Sequence, residues 1–114
     1  MVSLSRFRQM CLSHEGTTET PHFDRAAFRV ARIYATLKAD DKTANLKLEP
    51  DEQALLGEMH PGIFVPVAGG WGQQGWTTVH LAKVSEPVLS QALRSAWSGA
   101  QPKAKSIKSK RRPK

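Results

Sequence analysis

Three consecutive segments in which polar and apolar residues alternate constrain the fold of this chain more than any other feature. They cover residues 27–31, 33–38 and 43–48, and in each of them every second side chain is apolar. Such alternation is typical of β-strands with one buried face and one face in water. Because only short turns separate the segments, we expect neighbouring strands to run antiparallel. The sequence therefore predicts an antiparallel sheet with one polar face.

Three helices are predicted around these strands, at about residues 3–15, 50–59 and 85–99. Ser3 and Ser85 are suitable N-cap residues, and Pro50 suits a first helical position. The last helix has the clearest apolar stripe, with apolar side chains recurring at helical spacing until Gly99. The stripes on the first and last helices predict that both pack against the sheet.

Two further strands, at residues 63–67 and 76–81, surround a glycine-rich loop, and residues 16–25 are predicted to form a loop after the first helix. The element order is then α-β-β-β-α-β-β-α, with no internal repeat. We therefore expect an α+β fold. Its simplest form is a two-layer sandwich, a five-stranded antiparallel sheet with helices packed on one face.

Charge is distributed unevenly along the 114 residues, which carry 17 Lys and Arg, 10 Asp and Glu and a net charge of +7. All ten acids and ten of the bases precede residue 103, so residues 1–102 are formally neutral. The other seven bases are Lys103, Lys105, Lys108, Lys110, Arg111, Arg112 and Lys114. A segment this polar cannot bury enough apolar surface to become ordered. The sequence predicts one domain at residues 1–101 and a disordered basic tail at residues 102–114.

Composition also bears on the environment of the protein. No apolar run approaches the roughly 18 residues of a membrane span, and the first residues do not resemble a secretory signal. The single cysteine, Cys11, excludes an internal disulfide. We therefore expect a cytoplasmic protein with no membrane partner, and a monomer.

No residue pattern predicts catalysis, a metal or a cofactor. Residues 70–75 match G-x-G-x-x-G, but a dinucleotide site needs a helix directly after that loop, and a strand-forming segment follows here. The histidines lack the spacing of metal ligands: His14, His22, His60 and His80. Cys11 lies on the apolar stripe of the first helix, as expected of a core residue. We expect a non-enzymatic protein without a cofactor.

Alternation assigns each strand residue to one of two sheet faces. Ile33, Ala35 and Leu37 are assigned to the helix side together with the other apolar strand residues. The polar face then carries cations and aromatic rings, namely Arg29, Tyr34, Lys38, Lys47 and Trp76. Because nucleic-acid bases stack on rings and phosphates attract cations, this pattern favours a nucleic-acid surface. An ordinary solvated sheet face explains the same pattern.

Several separated motifs resemble those of the MmcQ/YjbR family. They are GTTE at 16–19, HF at 22–23, AFRV at 27–30, IYATL at 33–37, KL at 47–48, GWG at 70–72 and GWTTV at 75–79. The resemblance covers roughly residues 3–98. It implies a small two-layer domain, grouped with frataxin-like (CyaY-like) folds or with secretion chaperones, and members are commonly described as DNA-binding. The first helix carries Arg6 and Arg8 where a frataxin-like iron site would use acids, so iron binding is not expected.

Two binding functions remain open at this point. In the first, the basic tail binds DNA or another polyanion and the polar sheet face provides any selectivity. In the alternative, the protein is a small protein- or ligand-binding module whose pocket lies at the sheet face and the loop of Trp71 and Trp76, and the tail only maintains solubility. An enzyme would instead require titratable groups that converge in a cleft.

Overall fold

The structure is a computed structural model that describes residues 1–22 and 24–102. The predicted basic tail at residues 103–114 lies outside the described residues. The elements are α1 (Leu4–Leu12), β1 (Thr18–His22), β2 (Arg25–Arg29), β3 (Ile33–Lys38), β4 (Thr43–Lys47), α2 (Pro50–Met59), β5 (Phe64–Pro66), α3 (Gly70–Gln73), β6 (Trp76–His80) and α4 (Glu86–Gly99).

The six strands form one antiparallel sheet in the order β1-β2-β3-β4-β6-β5. α4 packs across β3 and β4 with α1 beside it, and α2 packs against β5 at the sheet edge. The predicted α+β fold with an antiparallel sheet is confirmed. No helix in the described part of the chain is long and apolar enough to cross a membrane.

The prediction of five strands was wrong, because residues 18–22 form the additional strand β1. This segment carries no large apolar residue, and four of its five side chains are exposed, so it lacks the alternation that marks a half-buried strand. Its partner is β2, with Glu19 opposite Phe28. An edge strand needs backbone pairing on one side only and tolerates a proline such as Pro21. Pairing with β2 therefore makes a strand of a segment whose sequence indicates a loop.

Most predicted element boundaries hold to within about two residues, but α1 ends at Leu12, three residues before its predicted end. β2 begins and ends two residues earlier than predicted, and β4, β5 and β6 end one residue early. At α1, the Ser3 hydroxyl accepts a hydrogen bond from the Arg6 backbone N–H at 3.0 Å, as expected of an N-cap. Ser85 occupies the N-cap position of α4 but makes no side-chain capping bond to a described residue.

The hydrophobic core lies between the sheet and the pair α1 and α4. The Phe7 ring of α1 meets the Phe28 ring of β2 edge-on, with centroids 5.8 Å apart and planes at 77°. The apolar stripe of α4 packs against the same core through four buried residues, Leu89, Ala92, Leu93 and Ala96. One face of the sheet is therefore covered by α1 and α4. The opposite face, which carries no long helix among the described elements, is called the open face below.

A β-bulge in β3 corrects the predicted faces of Ile33 and Tyr34. Phe28 of β2 lies opposite Ala35, whereas the next residue, Arg29, lies opposite Ile33, so Tyr34 is an extra residue on β3. A bulge shifts the alternation by one position. As a result Tyr34 joins Ala35 in the core, where it is fully buried, and Ile33 turns to the open face.

Two hydrogen bonds fix the Tyr34 hydroxyl inside the protein. It donates to the backbone carbonyl of Cys11 at 3.1 Å and lies 2.8 Å from the Thr17 hydroxyl, which supplies the second bond. Strand β3 is thereby tied to the end of α1. A ring held in this way cannot stack on a ligand, so the prediction that Tyr34 belongs to the polar face was wrong.

The buried position of Tyr34 predicts an unusual titration. Burial raises the pKa of its hydroxyl to about 12, although the hydrogen bond with Thr17 lowers it partly. In the unfolded chain a tyrosine has a pKa of about 10. The folded protein therefore keeps its proton to higher pH, and the free energy of unfolding falls as pH rises from about 10 to about 12.

Because Tyr34 is the only tyrosine in the chain, tyrosinate absorbance against pH measures its pKa directly. Urea unfolding at a series of pH values measures the loss of stability. The chain unfolded in urea is the control and should titrate near the ordinary value of about 10. A native titration near that value would place the ring in solvent and contradict the bulge.

Candidate functional site

The strand register arranges the open face as rows of side chains across the sheet. The central row contains Thr36, Asn45 and Thr78, which lie directly opposite one another on β3, β4 and β6. Rows at the two ends of the sheet contain the pairs Arg29 with Ile33 and Lys47 with Trp76, and the set Lys38, Thr43 and His80. Residues opposite each other share a face, so all of these side chains belong to the open face.

Four of the five predicted sheet-face residues lie on the open face: Arg29, Lys38, Lys47 and Trp76. Their charges are not equivalent. The Lys38 ammonium lies 3.1 Å from the Asp41 carboxylate and 3.9 Å from that of Asp24. The Arg29 guanidinium is exposed and donates to the carbonyl of Ala31 at 3.5 Å. The positive charge of Lys38 is therefore locally balanced, and the open face is less cationic than its lysines and arginines suggest.

A groove of about 470 Å³ runs along the open face. Its floor is formed by the sheet residues Ile33, Thr36 and Asn45. Indole rings and an apolar side chain form one wall, and the β1–β2 hairpin forms the other. The residues of the walls are Val67, Trp71 and Trp76 on one side and His22, Asp24 and Arg25 on the other. The groove thus combines apolar walls with a few polar groups, as small-ligand sites do.

Trp71 is the most exposed aromatic ring beside the groove, with 63% of its surface accessible. It stands on α3, a single helical turn in the loop between β5 and β6, where the sequence predicts only a loop. Strand β6 begins at Trp76, shortly after this turn, so the glycine-rich segment does not open a long helix as in a dinucleotide-binding unit. The loop instead places one tryptophan above the open face and a second on the adjoining strand.

Close backbone contacts hold this loop in place and explain two of its glycines. A Cβ atom added at Gly72 would lie 1.9 Å from the Val67 carbonyl oxygen, and one added at Gly75 would lie 1.8 Å from that of Leu48. Gly75 also has a φ of 110°, which disfavours other residues. Glycine is therefore required so that the loop can approach the sheet backbone, and Trp71 is positioned as a consequence.

Gln53 of α2 connects this loop to the rest of the domain. Its amide nitrogen donates to the carbonyls of Gly72 at 3.0 Å and Trp76 at 3.2 Å, and to the Thr77 hydroxyl at 3.0 Å. The Thr77 hydroxyl in turn donates to the Gly75 carbonyl at 3.0 Å. One side chain thus binds the last turn of α3 and the start of β6, which fixes the loop relative to β6.

Two polar atoms beside the groove are buried and have no hydrogen-bond partner within the described ranges. They are the Nη1 nitrogen of Arg25 and the hydroxyl oxygen of Thr36, a residue that is only 8% exposed. Buried polar groups are nearly always paired, because removing them from water costs free energy that a hydrogen bond must offset. Next to them, Asn45 uses its amide oxygen to accept from Thr78 at 2.8 Å. These polar groups are therefore candidates for contact with a ligand.

Sequence reasoning did not single out Arg25 or Thr36 as site residues. Arg25 falls in the segment predicted as a loop, and its position follows only from the pairing of β1 with β2. Alternation places Thr36 on the polar face, but it does not predict that the other groove residues leave only 8% of Thr36 exposed. The alternation of β3 was the one signal that pointed to Thr36.

The described part of the chain shows no sign of a reactive centre elsewhere. Cys11 is fully buried, and burial followed by the charge of Glu19 raises the pKa of its thiol, which disfavours the reactive thiolate. Within the described ranges, no three His, Cys, Asp or Glu side chains are grouped so that they could hold a metal ion. His14 stacks on Trp97 with ring centroids 5.3 Å apart, on the helix side of the domain.

The fold and the groove define a class of protein: a small α+β domain with two helices on one sheet face and a groove on the other. The YjbR family model matches residues 12–98. The chain belongs to the YjbR family, as its motifs predicted.

Two solved structures share the fold. A Deinococcus radiodurans protein with a DUF419 domain is 24% identical, with a TM-score of 0.79 over 91% of this chain and 82% of its own. A protein from Pseudomonas syringae is 17% identical, with a TM-score of 0.68 over 88% of this chain and 100% of its own. No curated protein matches the chain. At these identities the likeness establishes the fold alone.

The close approach at Gly72 predicts a large difference between two neighbouring glycines. Gly72→Ala places a Cβ against the Val67 carbonyl and should lower the free energy of unfolding by about 1–3 kcal/mol. Gly70→Ala, in the same turn, meets nothing within 4 Å. It should leave stability unchanged or raise it by about 0.5–1 kcal/mol. Urea unfolding followed by tryptophan fluorescence measures both, and equal effects of the two substitutions would show that the loop is not held against the sheet.

Proposed function

We propose that the protein is a non-enzymatic binding protein for single-stranded nucleic acid, acting as a cytoplasmic monomer. The groove on the open face receives the bases, and the basic tail at residues 103–114 supplies ionic attraction to the phosphates. The observation that carries the proposal is the pair Trp71 and Trp76 at the wall of the groove, with Trp71 largely exposed. An exposed indole beside a groove is costly in water unless it has a partner to cover it.

Stacking explains why the partner is a single strand. Bases in a duplex are already stacked on each other, whereas those of a single strand are free to stack on protein rings. Arg29 and Lys47 lie in the same end row as Trp76, where they can meet phosphates on either side of a stacked base. The groove itself includes the Asp24 carboxylate, which disfavours phosphate inside it. Bases in the groove and phosphates outside it agree with this distribution of charge.

A small-ligand module is the second candidate, and the two buried unpaired atoms of Arg25 and Thr36 favour it. A groove of about 470 Å³ falls in the range of small-molecule pockets, about 300–1,000 Å³. Under this alternative a free small molecule would fill the groove and the tail would contribute only to solubility. The alternative predicts saturable binding of a small molecule and no dependence on strand length.

The stacking role predicts the effect of removing one indole. Trp71→Ala should weaken the binding of a short labelled single strand by about 5- to 150-fold, because each stacked base contributes about 1–3 kcal/mol. Leu55→Ala on α2 is the control, since Leu55 is also a large exposed apolar residue, at 53%, but does not line the groove. Fluorescence anisotropy measures both. If the two variants bind as tightly as the unchanged protein, stacking in the groove is excluded.

The tail predicts a salt dependence that can be separated from stacking. If all seven tail bases meet phosphates, log K plotted against log salt concentration has a slope of about −5 on single strands and about −6 on duplex. Replacing those bases with glutamine in the full-length chain should flatten the slope on single strands to about −1, the share left for Arg29 and Lys47. When Trp71→Ala is added to this glutamine variant, binding of the single strand should weaken by the same factor as in the unchanged protein. A slope that does not change would assign the ionic contacts to the domain instead of the tail.

A further inference from the structure

Three polar side chains in the groove, those of Arg25, Thr36 and Asn45, can donate hydrogen bonds to a ligand. Nη1 of Arg25 can only donate, and the Thr36 hydroxyl can donate once a suitable acceptor arrives. The amide oxygen of Asn45 accepts from the Thr78 hydroxyl, and its amide nitrogen can donate to a ligand. A ligand that satisfies this part of the groove must therefore present acceptor atoms along one edge.

The remaining walls restrict the shape and charge of that ligand. Ile33, Val67 and the two indoles form an apolar slot suited to a flat ring. The Asp24 carboxylate also lines the groove, and its repulsion disfavours a phosphate or carboxylate at the same depth. A neutral ring with a carbonyl oxygen meets both conditions, because the carbonyl accepts from Arg25 and Thr36 without adding a negative charge.

We propose that the groove selects a planar heterocycle with a carbonyl oxygen on its edge, such as hypoxanthine, guanine or thymine, and discriminates against adenine. Adenine is the natural base without a carbonyl group, and it presents an amino donor where hypoxanthine presents oxygen. At Arg25 two donors would then face each other, and the adenine amino group would leave the buried Nη1 without an acceptor. For a base within single-stranded nucleic acid, this inference rests on the proposed function. For the base of a free nucleotide, it does not.

The matched probes are adenine and hypoxanthine, which have the same ring system. They differ at position 6, where an amino group is replaced by an oxygen, and at the adjacent N1, which carries a hydrogen in hypoxanthine. Full-length protein is titrated with two labelled single strands of equal length, one with adenine and one with hypoxanthine bases, and with the two free nucleoside monophosphates. We expect hypoxanthine to bind about tenfold more tightly in the strand. Equal affinity for the two bases in every form would overturn the proposal.

Variants at the groove separate selection from overall affinity. Arg25→Gln and Thr36→Val should each reduce the preference for hypoxanthine towards unity while adenine binding changes little. Arg29→Gln is the control, because Arg29 lies on β2 like Arg25 and also faces the open side of the sheet. It should lower the affinity for both strands equally and preserve the preference, because its guanidinium lies outside the groove. Retention of the full preference in both groove variants would overturn the proposal.

Thr36→Val also provides a readout that does not depend on a ligand. Valine keeps the shape of threonine and removes a buried hydroxyl that has no partner in the described part of the chain. The variant should therefore unfold at a temperature equal to or higher than that of the unchanged protein. A clear decrease would mean that the hydroxyl serves the fold, which would contradict its role in the groove.

The two forms of the probe distinguish this proposal from the proposed function. Tighter binding of hypoxanthine than of adenine, both in the single strand and as the free monophosphate, supports base selection by the groove. Tighter binding of the single strand than of the monophosphate supports nucleic-acid binding. If only the free nucleotide binds, with the same preference, the selection stands and the nucleic-acid function fails. If strands bind through Trp71 without preference, the function stands and the selection fails.

Discussion

The extra residue in β3 is the constraint on which both faces of this domain depend. If β3 alternated without interruption, Tyr34 would point to the open face and Ile33 would lie among the core residues. The bulge reverses these two positions. The hydroxyl of Tyr34 then satisfies the Cys11 carbonyl at the end of α1, and Ile33 becomes part of the groove floor. A single additional residue in one strand therefore anchors a helix on one side and shapes the groove on the other.

The same bulge shows where sequence reasoning was sufficient and where it was not. The alternation of β2, β3, β4 and β6 correctly predicted the antiparallel strands and the open-face positions of Arg29, Lys38, Lys47 and Trp76. It assumes an unbroken period of two, so a bulge without a glycine or other local signal is invisible to it. Strand β1 was missed for a related reason: its strand conformation depends on pairing with β2, which its own residues do not indicate.

The groove residues were harder to predict than the fold, because they come from three separate parts of the chain. Arg25 comes from the β1–β2 hairpin, Thr36 from a central strand and Trp71 from the loop before β6. What joins them is the tertiary contact of that loop with the sheet, made through Gly72, Gly75 and the amide of Gln53. The glycine spacing that resembled a nucleotide motif has this packing role. Two of its glycines, Gly72 and Gly75, are there because two backbones approach closely, and the motif alone does not distinguish this from phosphate binding.

In the proposed function, ionic attraction and selectivity reside in different parts of the chain, and physical reasons favour this separation. Attraction between a cationic tail and phosphates acts on any sequence and weakens as salt is added. The groove is formally mixed in charge, with Arg25 and Asp24 on the same wall, so it contributes little to long-range attraction. Contacts there depend instead on stacking and directed hydrogen bonds, which are short-ranged and sensitive to the identity of the ring. A highly basic groove would bind phosphate in preference to a base and would lose that sensitivity. The near neutrality of residues 1–102 is therefore what selection by the groove requires, and the net charge of +7 describes the tail rather than the site.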